Sequence, residues 1–204
     1  LKKDKYVYPF NFLGNVIPEP LILIKNKKIN CFSNVCTHRG NILVDKACQI
    51  KRKITCSYHG KQFDLNGNFL SMPKCEGMKN FPNKEDNLPQ LPVKEWKQFI
   101  FTSINPKIQF DDLFLDIEKR VGWMPIESFQ YRKELSKEYI FNANWALYCD
   151  NYLEGFHIPF VHSDLNSVLD FENYDVETFK YSNLQIGVAS DNDICFNLPK
   201  ESPD

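Results

Sequence analysis

The stretch Cys36-Thr37-His38-Arg39-Gly40 decides how this chain is read, and Cys56-Ser57-Tyr58-His59-Gly60 answers it. Seventeen residues separate His38 from Cys56. Each half offers one thiolate and one imidazole, so Cys36, His38, Cys56 and His59 together supply two sulfur and two nitrogen donors. Each half also ends in Gly, which suits a tight loop wrapped over a bound group. Mixed Cys/His sets also hold zinc. Zinc fingers, however, usually pair Cys with Cys and His with His, whereas here each half pairs Cys with His. Four unrelated buried side chains are the remaining alternative, and the matched halves speak against it.

Two Cys on one iron and two His on the other make the donor set of a Rieske-type two-iron two-sulfur cluster. The pattern C-x-H followed by C-x-x-H resembles the cluster motif of Rieske proteins. Respiratory-chain members carry a further Cys in each loop, joined as a disulfide. The matching positions here are Asn41 and Tyr58, so the chain resembles the Rieske domains of oxygenases and ferredoxins. After His-Gly the oxygenases usually have Trp; this chain has Lys61.

Upstream and between the halves, short β-branched and aromatic runs predict strands: Tyr6-Val7-Tyr8, Leu21 to Ile24, Ile29 to Phe32, Ile42 to Val44 and Ile50 to Thr55. Pro18 and Pro20 mark a turn. Phe63 to Phe69 predicts a hairpin with Asn66-Gly67 at its turn. Met72 to Pro92 predicts an irregular surface loop, and Trp96 with Phe99 to Phe101 the closing strand of a small all-β domain. Past Pro106 the character changes. Asp111-Asp112 can cap a helix through Val121, and Glu138 to Asn142 is a strand candidate.

The second informative stretch is Asn144-Trp145 through His157, expected to be largely helical, with Asp150, Glu154 and His157 on one face. Pro159 then ends or bends the helix, and His162 follows within reach of His157. Two His plus one carboxylate with open positions is the site of non-haem ferrous oxygenases. A structural His pair is the plain alternative. All four His of the chain, however, fall in these two clusters.

Asn144-Trp145, Asp150-Asn151-Tyr152, Glu154, His157 and His162 resemble the iron-binding signature of Rieske non-haem iron oxygenase large (alpha) subunits, the aromatic-ring-hydroxylating dioxygenase family. The likeness runs from about residue 5 to 180. It implies an α+β architecture, with an all-β Rieske domain (1–105) and the start of a helix-grip-like catalytic domain (106–204). It implies His157 and His162 as ligands of a mononuclear Fe(II), and Glu154 as the acid bridging that iron to the cluster of a neighbouring subunit. Glu at that position is similar to the branch acting on quaternary ammonium compounds such as choline and carnitine. The family's iron carboxylate lies further downstream than this chain reaches; Asp164, Asp170 and Asp175 are too close to the His pair to match it.

The function implied is a terminal oxygenase component. A reductase or ferredoxin would bring electrons ultimately from NAD(P)H, and O2 would hydroxylate an aromatic or N-methyl/quaternary-amine substrate. The expected assembly is a homotrimer or alpha-beta hexamer. The alternative is a Rieske-type electron-transfer protein without a functional second iron. Net charge −1 gives no sign of a nucleic-acid or anionic-membrane partner. No apolar run approaches bilayer length, and the first residues lack a signal-peptide core, so a cytoplasmic location is expected. The other five cysteines, Cys31, Cys48, Cys75, Cys149 and Cys195, have no repeated spacing and are expected to be free buried thiols. The start on Leu and the end on Glu-Ser-Pro-Asp suggest a fragment, C-terminally truncated.

Overall fold

A computed structural model describes residues 4–14 and 16–189, and the chain divides into two compact units, Leu1–Lys107 and Ile108–Asp204. In the first, β1 (Tyr6–Phe12), β2 (Glu19–Asn26) and β3 (Lys28–Ser33) form an antiparallel meander. β4 (Cys48–Gln49) adds to β1, and β5 (Lys53–Thr55), β6 (Gln62–Asp64) and β7 (Phe69–Ser71) build a second, three-stranded sheet. β8 (Gln90–Leu91) completes the first sheet in the order β4-β1-β2-β3-β8. β9 (Val93–Trp96) and β10 (Phe99–Thr102) pair as a closing hairpin.

The core is a single cluster that includes Val7, Ile22, Ile24, Phe32, Ile54, Phe63 and Leu88, and both Cys36 and Cys56 belong to it. Full burial of one such aliphatic or aromatic side chain contributes about 1.5–3 kcal/mol. The floor of the paired loops is thus part of what folds the domain.

Several expectations need correction here. Ile42 to Val44 is not a strand: Ile42 makes one isolated bridge to Val35. The Asn34 side chain takes the place of a partner strand instead, donating to the Val44 carbonyl (2.8 Å) and accepting from the Val44 N–H (3.0 Å). Ile50 to Arg52 is irregular, and strand begins only at Lys53. Pro18 stands in the turn, but Pro20 lies inside β2, opposite Asn11. Met72 to Pro92 is not merely a surface loop: it holds a 3-10 turn (Lys84–Asp86) and β8, and it sends Leu88 into the core. Among the described cysteines outside the pair only Cys31 is buried; Cys48 and Cys75 are half-buried, Cys149 is exposed, and all are free thiols. Cys195 lies outside the described residues.

The second unit opens with α1 (Phe110–Val121), whose Phe110 and Phe114 rings stack one turn apart at 4.3 Å. Gln109 is its N-cap; Asp111 and Asp112 sit within the first turn, where their charge complements the positive end of the helix dipole without capping the helix. Arg120 at its end pairs with Glu177. Glu138 to Asn142 is not a strand; no strand pairs with it, and Tyr139, Ile140 and Phe141 are exposed. α2 (Trp145–Tyr152) starts at Asn144, whose Oδ1 accepts from the Ala146 N–H at 2.9 Å. α3 (Ile158–Val161) and α4 (Ser163–Val168) follow, then the hairpin of β11 (Leu169–Thr178) and β12 (Asn183–Ala189).

α2 ends at Tyr152, so Asp150, Glu154 and His157 do not share a helical face. Leu153 is its C-cap, and the chain then passes through Gly155, which is buried where a Cβ would stand 2.7 Å from the Tyr174 ring. Pro159 does not end the helix either. It lies in the first turn of α3, where its missing N–H is no loss.

Candidate metal centres

The two cluster-loop candidates are built alike. In the first, the Cys36 N–H donates to the Asn41 carbonyl (2.8 Å) and the Gly40 N–H to the Cys36 carbonyl (3.1 Å). In the second, the Cys56 N–H donates to Lys61 (2.8 Å) and the Gly60 N–H to Cys56 (3.0 Å). Gly40 and Gly60 both adopt positive φ, +70° and +73°, which L side chains resist. A Cβ at Gly40 would meet nothing, so within the protein the demand on this glycine is its backbone angle rather than space.

The fold brings the donors together across the loops. The Cys36 and Cys56 thiols, each about 3% exposed, interact directly with one another. The His38 and His59 rings meet at 4.7 Å, edge to face, on the exposed side. Sulfur therefore pairs with sulfur and nitrogen with nitrogen, one donor of each pair from each loop. That is the arrangement a two-iron cluster requires, with Cys on one iron and His on the other. The residues present fit the Rieske cluster.

Local electrostatics favour ligation at Cys56 and His38 and oppose it at Cys36. Burial pushes the Cys36 thiol up, partly offset by the His38 N–H. Burial also raises Cys56, but the Tyr58 and His59 N–H groups, the Cys36 thiol and the Asn41 amide outweigh it and bring that thiol down. Partial desolvation and the neighbouring His59, Arg39 and Lys61 lower His38, keeping it in the neutral form a metal needs. At the positions where a disulfide would join the loops, the Asn41 amide instead donates to Cys56 Sγ (3.7 Å) and Ser57 Oγ (3.3 Å). The Tyr58 ring lies against His59 at 3.9 Å.

Lys61 and Asp86 were the residues whose part sequence alone did not disclose. Lys61 is 1% exposed and donates to Asp86 Oδ1 at 2.7 Å. Asp86 closes a capping box with Asn83, and its carbonyl accepts from Thr37 Oγ1 at 2.9 Å, between the first loop's Cys36 and His38. The Asn83-x-x-Asp86 spacing was the available signal.

In the second unit, α3 separates His157, its N-cap, from His162, its C-cap, and brings the two rings to 5.1 Å. Glu154 Oε1 contacts His157 Nδ1, and the other carboxylate oxygen accepts the Phe156 N–H. The His157 contact is the main reason the Glu154 carboxyl lies below its usual range. With Nδ1 engaged, Nε2 is the nitrogen left for ligation, the carboxylate–histidine arrangement that orients metal ligands. The pair and its acid fit a mononuclear iron that still needs a further ligand. Asp150 is exposed on α2 and takes no part in this contact. Asp170 and Asp175 serve local turns, accepting from Glu172 and Val176 N–H groups, and Asp164 lies in the first turn of α4.

This fold and donor set define a Rieske-type iron–sulfur domain followed by part of a second metal-binding unit. Residues 8–82 match the family described as Rieske [2Fe-2S] domain, and residues 121–192 the ring hydroxylating alpha subunit (catalytic domain). The chain is 33% identical to the chloroplastic choline monooxygenase of Beta vulgaris, over 92% of this chain and 43% of that protein. It is 27% identical to the carnitine monooxygenase oxygenase subunit of Acinetobacter pittii, over 90% of this chain and 50% of that one. A solved quaternary ammonium Rieske monooxygenase with L-carnitine shares the fold (TM-score 0.71, 24% identity, 92% of this chain and 53% of that one). The chain belongs to the Rieske non-haem iron oxygenase alpha-subunit family. It spans about half the length of the curated relatives it matches.

Proposed function

We propose that this chain is the electron-receiving part, and the beginning of the catalytic part, of a terminal oxygenase that oxidises a quaternary or N-methyl amine with O2. The unit Leu1–Lys107 is the Rieske domain and the unit from Ile108 opens the catalytic domain. The observation that carries the reading is the cross-loop pairing, thiol with thiol and imidazole with imidazole. When bound, the cluster carries single electrons and the mononuclear iron activates dioxygen.

This chain's residues hold and orient. Cys36 and Cys56 anchor from the buried side; His38 and His59 present their exposed edges to a reductase or ferredoxin. His157 and His162 hold the second iron, Glu154 fixes the His157 ring by accepting its Nδ1 proton, and the carboxylate's remaining capacity faces the cluster His of an adjoining subunit in a homotrimer or alpha-beta hexamer. The choice of a quaternary amine rests on the choline and carnitine monooxygenase relatives and on Glu at position 154. The free described thiols accord with a reducing, cytoplasmic location.

A Rieske electron carrier without a second iron is the competing reading. Iron and acid-labile sulfide decide between them. Three irons per two sulfides in the full-length protein, with choline or carnitine consumed when a reductase is supplied, is the expected result. Two irons per two sulfides and no amine oxidation contradicts the oxygenase.

A further inference from the structure

A buried ammonium sits immediately behind the second cluster loop. Lys61 follows His59-Gly60, and its carbonyl accepts the Cys56 N–H at 2.8 Å. Its Nζ lies among three phenyl rings, 5.8 Å from Phe63, 5.4 Å from Phe69 and 5.9 Å from Phe81, with Asp86 Oδ1 as its anionic partner. Stability does not explain a charge here. Withdrawing both ions from water costs several kcal/mol, and an apolar side chain of similar volume would pack among those rings at no such cost. The charge therefore has another use.

Its reach indicates which. Lys61 is joined to the second loop through the Cys56 N–H, and its partner Asp86 to the first through Thr37, between Cys36 and His38, so the buried cation is tied to both loops and interacts with charge held between them. In a poorly solvated interior such an interaction is stronger than in water. Reducing the cluster adds one negative charge, and a fixed cation close by stabilises the reduced form. Net charge around an iron–sulfur cluster is one of the levers that sets its potential.

We propose that Lys61 is a positioning residue that raises the reduction potential of the cluster, held at its post by the Phe63–Phe69–Phe81 cage and by Asp86. The inference rests on the cluster reading above. The Asp86–Thr37 bond extends the same support to the first loop.

The test is a redox titration of protein reconstituted anaerobically with iron and sulfide, followed by electron paramagnetic resonance, for wild type, Lys61→Met, Lys61→Arg and Asp86→Asn. Lys61→Met is expected to keep the Rieske signal and titrate at a lower potential than wild type. Lys61→Arg, which keeps the charge, is expected to titrate with wild type. Asp86→Asn removes the opposing anion and is expected to titrate higher. A pair serving structure alone moves Lys61→Met and Asp86→Asn the same way and is not rescued by Arg, and that result overturns the proposal, as does an unshifted Lys61→Met. If Lys61→Met holds no cluster, Asp86→Asn decides: a higher potential supports the proposal, an equal or lower one overturns it. Wild-type protein that takes up no cluster is a different failure, which removes the Rieske reading and this inference with it.

Discussion

Glu154 shows how much one side chain can determine. Its contact with His157 Nδ1 decides which ring nitrogen is left for ligation, and that contact is made within one chain. The other half of its proposed role lies toward a neighbouring subunit's cluster. The two halves separate by mutation. Glu154→Gln keeps the size of the side chain and a carbonyl able to accept from His157, but loses the charge. It is expected to retain the Rieske spectrum and the mononuclear iron, while electron transfer between the centres slows by about an order of magnitude or more, in line with the loss of a metal-site supporting hydrogen bond. Stopped-flow oxidation of the pre-reduced cluster measures this, and an unchanged rate contradicts the bridging role.

Among the elements, the 3-10 turn Lys84–Asp86 does the most for its length. Asp86 closes the capping box with Asn83, pairs with Lys61 and accepts through its carbonyl from Thr37. Burial alone would raise its carboxyl; the Lys61 hydrogen bond, the Asn83 N–H and the Lys61 charge outweigh that and hold it below the usual carboxylate range. A depressed carboxyl stabilises the folded state above its unfolded pKa of about 3.9 and ceases to do so as pH falls through the lower native value. Wild-type stability is therefore expected to drop below about pH 4, and Asp86→Asn to be less stable at neutral pH with a flatter acid limb. Urea titrations across that range check it; parallel acid limbs contradict it. Elements also show where sequence patterns fall short. The Asn66-Gly67 hairpin was legible because a local turn residue specifies it. Ile42 to Val44 was not, because the Asn34 amide, ten residues away, replaces the strand partner. The path after α2 was not, because the close approach of Tyr174 to Gly155 is a tertiary fact.

At the level of the whole molecule, the donors were legible and their pairing was not. Spacing names Cys36, His38, Cys56 and His59, but only the folded loops show Cys meeting Cys and His meeting His. Likewise His157 and His162 were legible as a pair, though they flank a short helix rather than follow a long one. Lys61 was visible as a departure from Trp, and its burial against Asp86 only in three dimensions. Membership of the alpha-subunit family joins these pieces, and among the described residues no helix is long and apolar enough to cross a membrane.

Everything in this account follows from the nature of the group bound between the paired loops. Anaerobic reconstitution with iron and sulfide, dithionite reduction and electron paramagnetic resonance test it directly. The expected result is a coloured protein whose reduced spectrum has the low average g-value of a two-iron cluster with two nitrogen ligands, lost when His38 or His59 is replaced. A colourless protein, or one that binds a single zinc through the same four side chains, contradicts it.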